Sequence, residues 1–183
     1  MTVLIFGGAG GIGAALAESL ATQGRACHLV GRNADRLQTV AGRTGASWST
    51  CDVTVTESIS QAVEAAAEDL SGVAYCVGSI RLKPLGRLTE AEMIEDFRLN
   101  ALGAALAMQA AAPKLKAARG AVVLFSSVAV AQGFASHASI SMAKGAVEGL
   151  TRAAAAELAP HVRVNCIAPS LTRTPLAAGL VNS

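Results

Sequence analysis

The sequence predicts an α/β fold: a doubly wound parallel β-sheet with helices on both faces, in three αβα layers. Three observations carry this expectation. Short apolar runs of strand length alternate with longer segments whose apolar residues recur at helical spacing. The first run passes through a glycine-rich turn directly into a helix. The 183 residues, 52% of them hydrophobic, suit one domain, 1–183, with a large core and no linker or repeat to divide it.

In chain order, residues 3–6 form a buried strand. The turn Gly7-Gly8-Ala9-Gly10-Gly11-Ile12-Gly13 follows, and Ile12, Leu16 and Leu20 mark one face of a helix that Gly24 ends. Residues 26–30 are a second strand, and Leu37, Val40 and Ala41 mark the helix after it. Residues 47–51 are a third strand, less apolar than the others. Ile59, Val63, Ala66 and Leu70 place a third amphipathic helix, ahead of a strand at 73–77 that ends at Gly78. Thr89-Glu90-Ala91-Glu92 is a capping box that opens a helix, and a long alanine-rich helix follows, to about Lys116. A strand at 121–125, a helix carrying Val147, Leu150, Ala154 and Leu158 and closed by Pro160, and a strand at 162–167 complete the series.

Strand, glycine turn and helix in that order make a phosphate-binding device of Rossmann type. Glycine lets the backbone approach a pyrophosphate, and the helix N-terminus offers free N–H groups and partial positive charge. Two spacings overlap: Gly8, Gly10 and Gly13 fit G-x-G-x-x-G, and Gly7, Gly11 and Gly13 fit G-x-x-x-G-x-G. The residue after the second strand meets the adenosine ribose in such folds. A carboxylate there selects NAD, and an arginine accommodates the 2′-phosphate of NADP. Arg32 holds that place, with Asn33 as a second contact, so the expected cofactor is NADP(H).

Composition excludes other classes. Net charge is +2 with the signs interspersed, which argues against nucleic acid or an anionic membrane as partner. The apolar runs are too short to span a bilayer. Cys27, Cys51, Cys76 and Cys166 form no C-x-x-C pair and fall in or beside strands, so they read as reduced, buried thiols with no metal site. A first strand two residues after Met1 is read as leaving no room for a signal peptide, and the expected location is cytoplasmic.

From residue 3 to about 175 the chain resembles the short-chain dehydrogenase/reductase family. The glycine turn matches that family's T-G-x-x-x-G-x-G, with Phe6 in place of the threonine. The resemblance implies further roles. Asp52-Val53 looks like the adenine-contacting segment. Only Gly78 of Tyr75-Cys76-Val77-Gly78 keeps the usual Asn-Asn-Ala-Gly. Asn100 matches the asparagine that supports a water and proton relay, and Ser127 matches the serine that holds the substrate carbonyl. Lys144 matches the lysine on the nicotinamide ribose. Arg163-Val-Asn165-Cys-Ile-Ala-Pro169 resembles the segment beside the nicotinamide, and Thr174 falls where a threonine bonds the carboxamide or phosphate.

One position departs from the family. Its proton-donating tyrosine stands four residues before the lysine and thirteen after the serine, and both counts lead to Ile140. A positioned general acid contributes roughly 10²–10⁴-fold in rate. Three accounts stay open. His137, seven residues before Lys144, matches the tyrosine spacing of the enoyl-reductase branch, and an imidazole titrates near neutrality. Alternatively, water or the substrate supplies the proton, as for a conjugated alkene or an imine; Ser139 and Ser141 are weaker donors. In the third account the protein binds NADP(H) without turnover, as a regulator or subunit. The reading preferred is an oxidoreductase acting on a small-molecule carbonyl or conjugated substrate.

Members of the family continue past this point with a lid, a further helix and a final strand, whereas residues 180–183 fall just inside the expected lid. A short natural chain and a missing C-terminal part are both compatible with that. The two long helices of the second half carry small residues, Ala104, Ala105, Ala111 and Ala112 on one and Gly145, Ala146, Gly149, Ala153 and Ala156 on the other. In related proteins these helices pair across a two-fold axis, so a homodimer or homotetramer is expected.

Overall fold

A computed structural model describes residues 1–181, with side chains through Leu180. Asn182 and Ser183, where the expected domain ends, lie outside the described residues. Strands β1 (Thr2–Phe6), β2 (Cys27–Gly31), β3 (Ser47–Thr50), β4 (Leu70–Tyr75), β5 (Ala121–Phe125) and β6 (Arg163–Ile167) form one parallel sheet in the order β3-β2-β1-β4-β5-β6. The doubly wound sheet expected from the sequence is therefore observed. The order reverses between β1 and β4, which opens a crevice at their carboxyl ends.

Helices α1 (Gly11–Thr22) and α2 (Ala34–Thr44) cover one face of the sheet, burying Ile5 and Leu29 against Ala17, Leu20, Leu37 and Val40. Helices α3 (Thr56–Ala65), α4 (Glu90–Phe97), α5 (Gly103–Ala117), α6 (Ala129–Gln132) and α7 (Ala138–Leu158) follow in the chain, and α8 (Ala178–Val181) is the last. Residues of α3, α5 and α7 pack with Leu4, Phe6, Val122, Leu124 and Val164 in the larger core on the other face. The capping box opens α4 as read: the Thr89 hydroxyl accepts from the Glu92 N–H, and the Glu92 carboxylate accepts from the Thr89 N–H.

Three local features correct or refine the sequence reading. First, Leu70 does not end α3. That helix stops at Ala65, and Leu70 opens β4 opposite Thr2. Periodicity alone cannot separate the last apolar residue of a helix from the first of a buried strand; pairing with β1 does. Second, the capping-box helix and the alanine-rich helix are α4 and α5, and a π segment at Arg98–Leu102 joins them without a loop. Third, the buried residues of α1 are the small Gly13 and Ala17 together with Leu20, while Ile12 and Leu16 are half-buried, Leu16 packing against the edge of the core. Ile12 and Leu16 also border an apolar groove of about 690 Å³ across β1, β4, β5 and β6. Consequently β5 is buried on one side only, with Val122 and Leu124 hidden and Val123 and Phe125 half-exposed in the groove.

At the other end of the sheet, the His28 ring on β2 is buried between the Ser47 and Ser49 hydroxyls of β3, 2.8 Å from each. Burial lowers its pKa. The small residues of α5 and α7 divide in the same way as the sheet faces: Ala104 and Ala111 belong to the core, while Gly149, Ala153 and Ala156 stay at the surface. Among the described residues, no helix is long and apolar enough to cross a membrane.

Candidate functional site

The crevice at the β1/β4 reversal is a cleft of about 420 Å³. Its floor is the glycine turn, and the sterics there explain the glycine spacing. Gly7 sits at φ +77°, where a Cβ would lie 2.9 Å from the Cys76 carbonyl carbon. A Cβ on Gly13 would run into the Gly7 carbonyl. At Gly11 it would meet the Thr174 side chain, with Cγ2 at 2.6 Å. Gly10, the N-cap of α1, carries no side-chain cap, so the first turn of that helix, where Gly11 and Ile12 line the cleft, keeps its N–H groups free of a side-chain competitor.

One end of the cleft is basic. Arg32 and Asn33 line it as the sequence suggested, but the Asn33 Oδ1 accepts from the Arg36 N–H as the N-cap of α2. Arg36 also lines the cleft and donates through its guanidinium to the Ala9 carbonyl at 3.0 Å. Sequence reading missed Arg36; its signal was the spacing Arg32-x-x-x-Arg36, one helical turn across a cap. Val53 and Cys51 line the same end. The Asp52 Oδ1 turns back to the Thr54 N–H and hydroxyl, at 2.9 and 2.7 Å, and these bonds hold its carboxyl below the usual carboxylate range.

Of the residues read as catalytic, Asn100 and Lys144 adjoin Gly78, which lines the cleft. Lys144, 7% exposed, donates to the Phe125 carbonyl at 2.8 Å. Burial lowers its pKa to about 8, against smaller opposing effects of Cys166 and Cys76. The Cys76 thiol is itself pushed up to about 12, chiefly by burial. Asn100, 1% exposed, lies in the π segment, where its Nδ2 donates to the Asp96 carbonyl and the Ser79 Oγ. A Cβ on Gly78 would come within 3.1 Å of the Asn100 Oδ1 and 3.3 Å of the Lys144 Nζ, so glycine there leaves both polar groups room on the same side of the backbone. The π segment has a partner for its Leu99 carbonyl in the Tyr75 hydroxyl, at 2.7 Å, and burial pushes that hydroxyl's pKa up.

The Ser127 Oγ accepts from the Ala129 N–H at 3.2 Å, and the Pro169 carbonyl accepts from the Val128 N–H at 3.1 Å. These contacts bring the segment after β6 against the serine turn. Thr174 lines the cleft, and its Oγ1 accepts from the Ala177 N–H at 3.3 Å. Ile140 is buried at 6% exposure. His137 precedes α7, its Nδ1 2.8 Å from the Ala135 carbonyl and its ring 5.4 Å from that of Phe134.

The family model for short chain dehydrogenases matches residues 1–182. This chain belongs to that family. The trans-4-hydroxycyclohexanecarboxylate dehydrogenase of Sinomonas cyclohexanicum is 33% identical over 192 residues, covering 97% of this chain and 74% of that protein. A short-chain type dehydrogenase/reductase from Mycobacterium ulcerans superposes with a TM-score of 0.93 at 30% identity, over all of this chain and 71% of its own. An alcohol dehydrogenase from Thermococcus sibiricus, complexed with 5-hydroxy-NADP, superposes at 0.91 with 27% identity, over 96% of this chain and 78% of its own. The homologues are dehydrogenases and reductases, which places this chain in an oxidoreductase family that uses NAD(P)(H).

Proposed function

We propose that the chain is an NADP(H)-dependent oxidoreductase that moves hydride to or from a small carbonyl or conjugated substrate, with a proton donor other than tyrosine. The observation that carries this reading is the pair Arg32 and Arg36 lining the cleft whose floor is the glycine turn. Two guanidiniums at the adenosine end suit a 2′-phosphate, and the position after β2 holds no carboxylate for a 2′-hydroxyl. The 5-hydroxy-NADP complex of the Thermococcus sibiricus relative supports the same cofactor. The cradle suits a pyrophosphate: Gly7, Gly11 and Gly13 leave no room for a Cβ, and α1 begins without a side-chain cap.

When bound, the nicotinamide supplies or accepts the hydride. The chain's own groups then hold and protonate. Lys144 and Thr174 orient the cofactor, with Asp52, Val53, Gly78 and Pro169 completing its surroundings. Ser127 holds the substrate oxygen, and Asn100 supports the relay beside Lys144. His137 delivers the proton. The Ala135 carbonyl makes Nδ1 a donor, so in the imidazolium form Nε2 carries a transferable proton. The same reading takes the protein as cytoplasmic, and as a homodimer or homotetramer through α5 and α7.

One observation favours a second reading, an NADP(H)-binding regulator or subunit without turnover: Ile140 buries an apolar side chain at the position of the family's acid. An NADPH-consumption screen over ketones, enoyl thioesters and imines, run beside NADPH and NADH titrations, separates the two. Turnover of any class with tighter NADPH binding is the expected result. Tight NADPH binding with no turnover supports the second reading, and equal affinities overturn the cofactor assignment.

A further inference from the structure

Asp96 is the most buried carboxylate among the described residues, at 1% exposure, and no sequence motif pointed to it. It stands one helical turn before Asn100, at the end of α4. Both of its oxygens are bonded. Oδ1 accepts from the Ser79 hydroxyl at 2.8 Å, and Oδ2 accepts from the Ser139 hydroxyl at 2.6 Å and the Arg81 Nε at 3.1 Å. Ser79 follows Gly78, and Ser139 precedes Ile140, so one carboxylate joins three segments that border the site. Arg81 carries the connection outward to Glu92 and Glu95.

The hydrogen bonds have a direction. A serine hydroxyl has one proton, and Ser79 spends it on Asp96, which leaves the Ser79 Oγ an acceptor toward Asn100. The Asn100 Nδ2 donates to that oxygen at 3.0 Å and to the Asp96 carbonyl at 2.8 Å. Its Oδ1 must then face the Ser79 N–H, at 3.4 Å, on the Gly78 side where Lys144 lies. A flipped amide would set its oxygen against two acceptors, the Ser79 Oγ and the Asp96 carbonyl, and its NH₂ against the Ser79 N–H. We infer that Asp96 is a positioning residue: through Ser79 it fixes the Asn100 amide so that a carbonyl oxygen, and not an NH₂ group, faces the Lys144 ammonium. The inference deepens the proposed site, but its test does not require turnover.

The electrostatic consequence falls on Lys144. The groups facing it are the Phe125 carbonyl from β5, the Cys76 thiol after β4, the Cys166 thiol from β6 and, across Gly78, Asn100. An amide oxygen favours the charged form; an amide NH₂ opposes it. Competitive acetylation of Lys144 with acetic anhydride at graded pH, read by mass spectrometry, reports its titration in the unmodified protein and in Asp96→Asn, Ser79→Ala and Ser139→Ala. The expected result is a downward shift of about half a unit or more for Asp96→Asn and Ser79→Ala, with Ser139→Ala unchanged. Ser79→Ala alone decides the matter should Asp96→Asn not fold, because it leaves the Arg81 and Ser139 bonds in place. An unchanged titration in Ser79→Ala, or an equal shift in Ser139→Ala, overturns the inference. Absence of NADPH turnover in every form would count against the oxidoreductase reading and leave this test intact.

Discussion

The Thr174 side chain stands where a Cβ on Gly11 would be, its Cγ2 2.6 Å and its Cβ 2.7 Å from that point. The segment after β6 is thus seated on the helix N-terminus proposed to receive the pyrophosphate. Gly11→Ala is expected to push Thr174 and Pro175 off the turn and to weaken NADPH binding by about tenfold or more, since overpacking costs roughly 1–3 kcal/mol. Thr174→Gly in the same chain should restore part of the affinity. Fluorescence titration of the single and double variants checks this; equal losses in both would show that the contact is irrelevant to binding.

Arg32 and Arg36 approach the cleft from the two ends of the cap of α2. A charge-assisted hydrogen bond contributes about 1.5–3 kcal/mol, so Arg32→Ala should weaken NADPH by roughly 10–100-fold. NADH binding should change by less than about threefold, because NADH lacks the phosphate that these side chains are proposed to meet. Arg36→Ala should behave similarly and also release the Ala9 carbonyl. Parallel NADPH and NADH titrations settle both.

Ile140→Tyr is expected to raise ketone reduction by at least about tenfold, the lower part of what a positioned acid supplies. The side chain is 6% exposed, so the variant also needs room for a larger ring, and its melting temperature should be recorded beside its rate. His137→Ala is expected to abolish NADPH oxidation with unchanged cofactor affinity. A retained rate removes His137 as the donor.

Lys144 leads to a prediction about pH and stability. Burial lowers its pKa from 10.5 to about 8, so between those values the unfolded chain binds more protons than the folded one. Stability should therefore rise with pH through that window as the folded-state amine becomes neutral, while below it the full cost of burying the ammonium is present. Lys144→Met should be more stable than the unmodified protein at neutral pH, by up to about 3 kcal/mol, and should lose the rise. Urea unfolding across the pH range measures both; a parallel pH dependence in the two proteins would contradict the assignment.

The alternation of strands and helices, the glycine turn, the capping box at Thr89 and the place of Arg32 after β2 were all readable before any coordinates, because each is a local pattern whose physics acts within a few residues. Legibility failed where two local readings were equally good. Leu70 satisfies a helical stripe, and its pairing with Thr2 makes it a strand residue. Ile12 and Leu16 lie on the amphipathic face as read, and only the packing of Gly13 and Ala17 on the sheet shows that they also border a groove.

By itself the sequence determined the sheet's class, the cradle for a dinucleotide, a basic residue where the ribose would lie and an isoleucine at the position of the acid. Only the tertiary structure decided that Arg36 reaches Ala9, that Thr174 lies on Gly11 and that Asp96 is buried among Ser79, Arg81 and Ser139. These are contacts between residues tens of positions apart, and nothing in a single chain's local pattern encodes which distant donors will meet a carboxylate. Such meetings follow from strand order and from the π turn at Arg98–Leu102, which are properties of the folded whole.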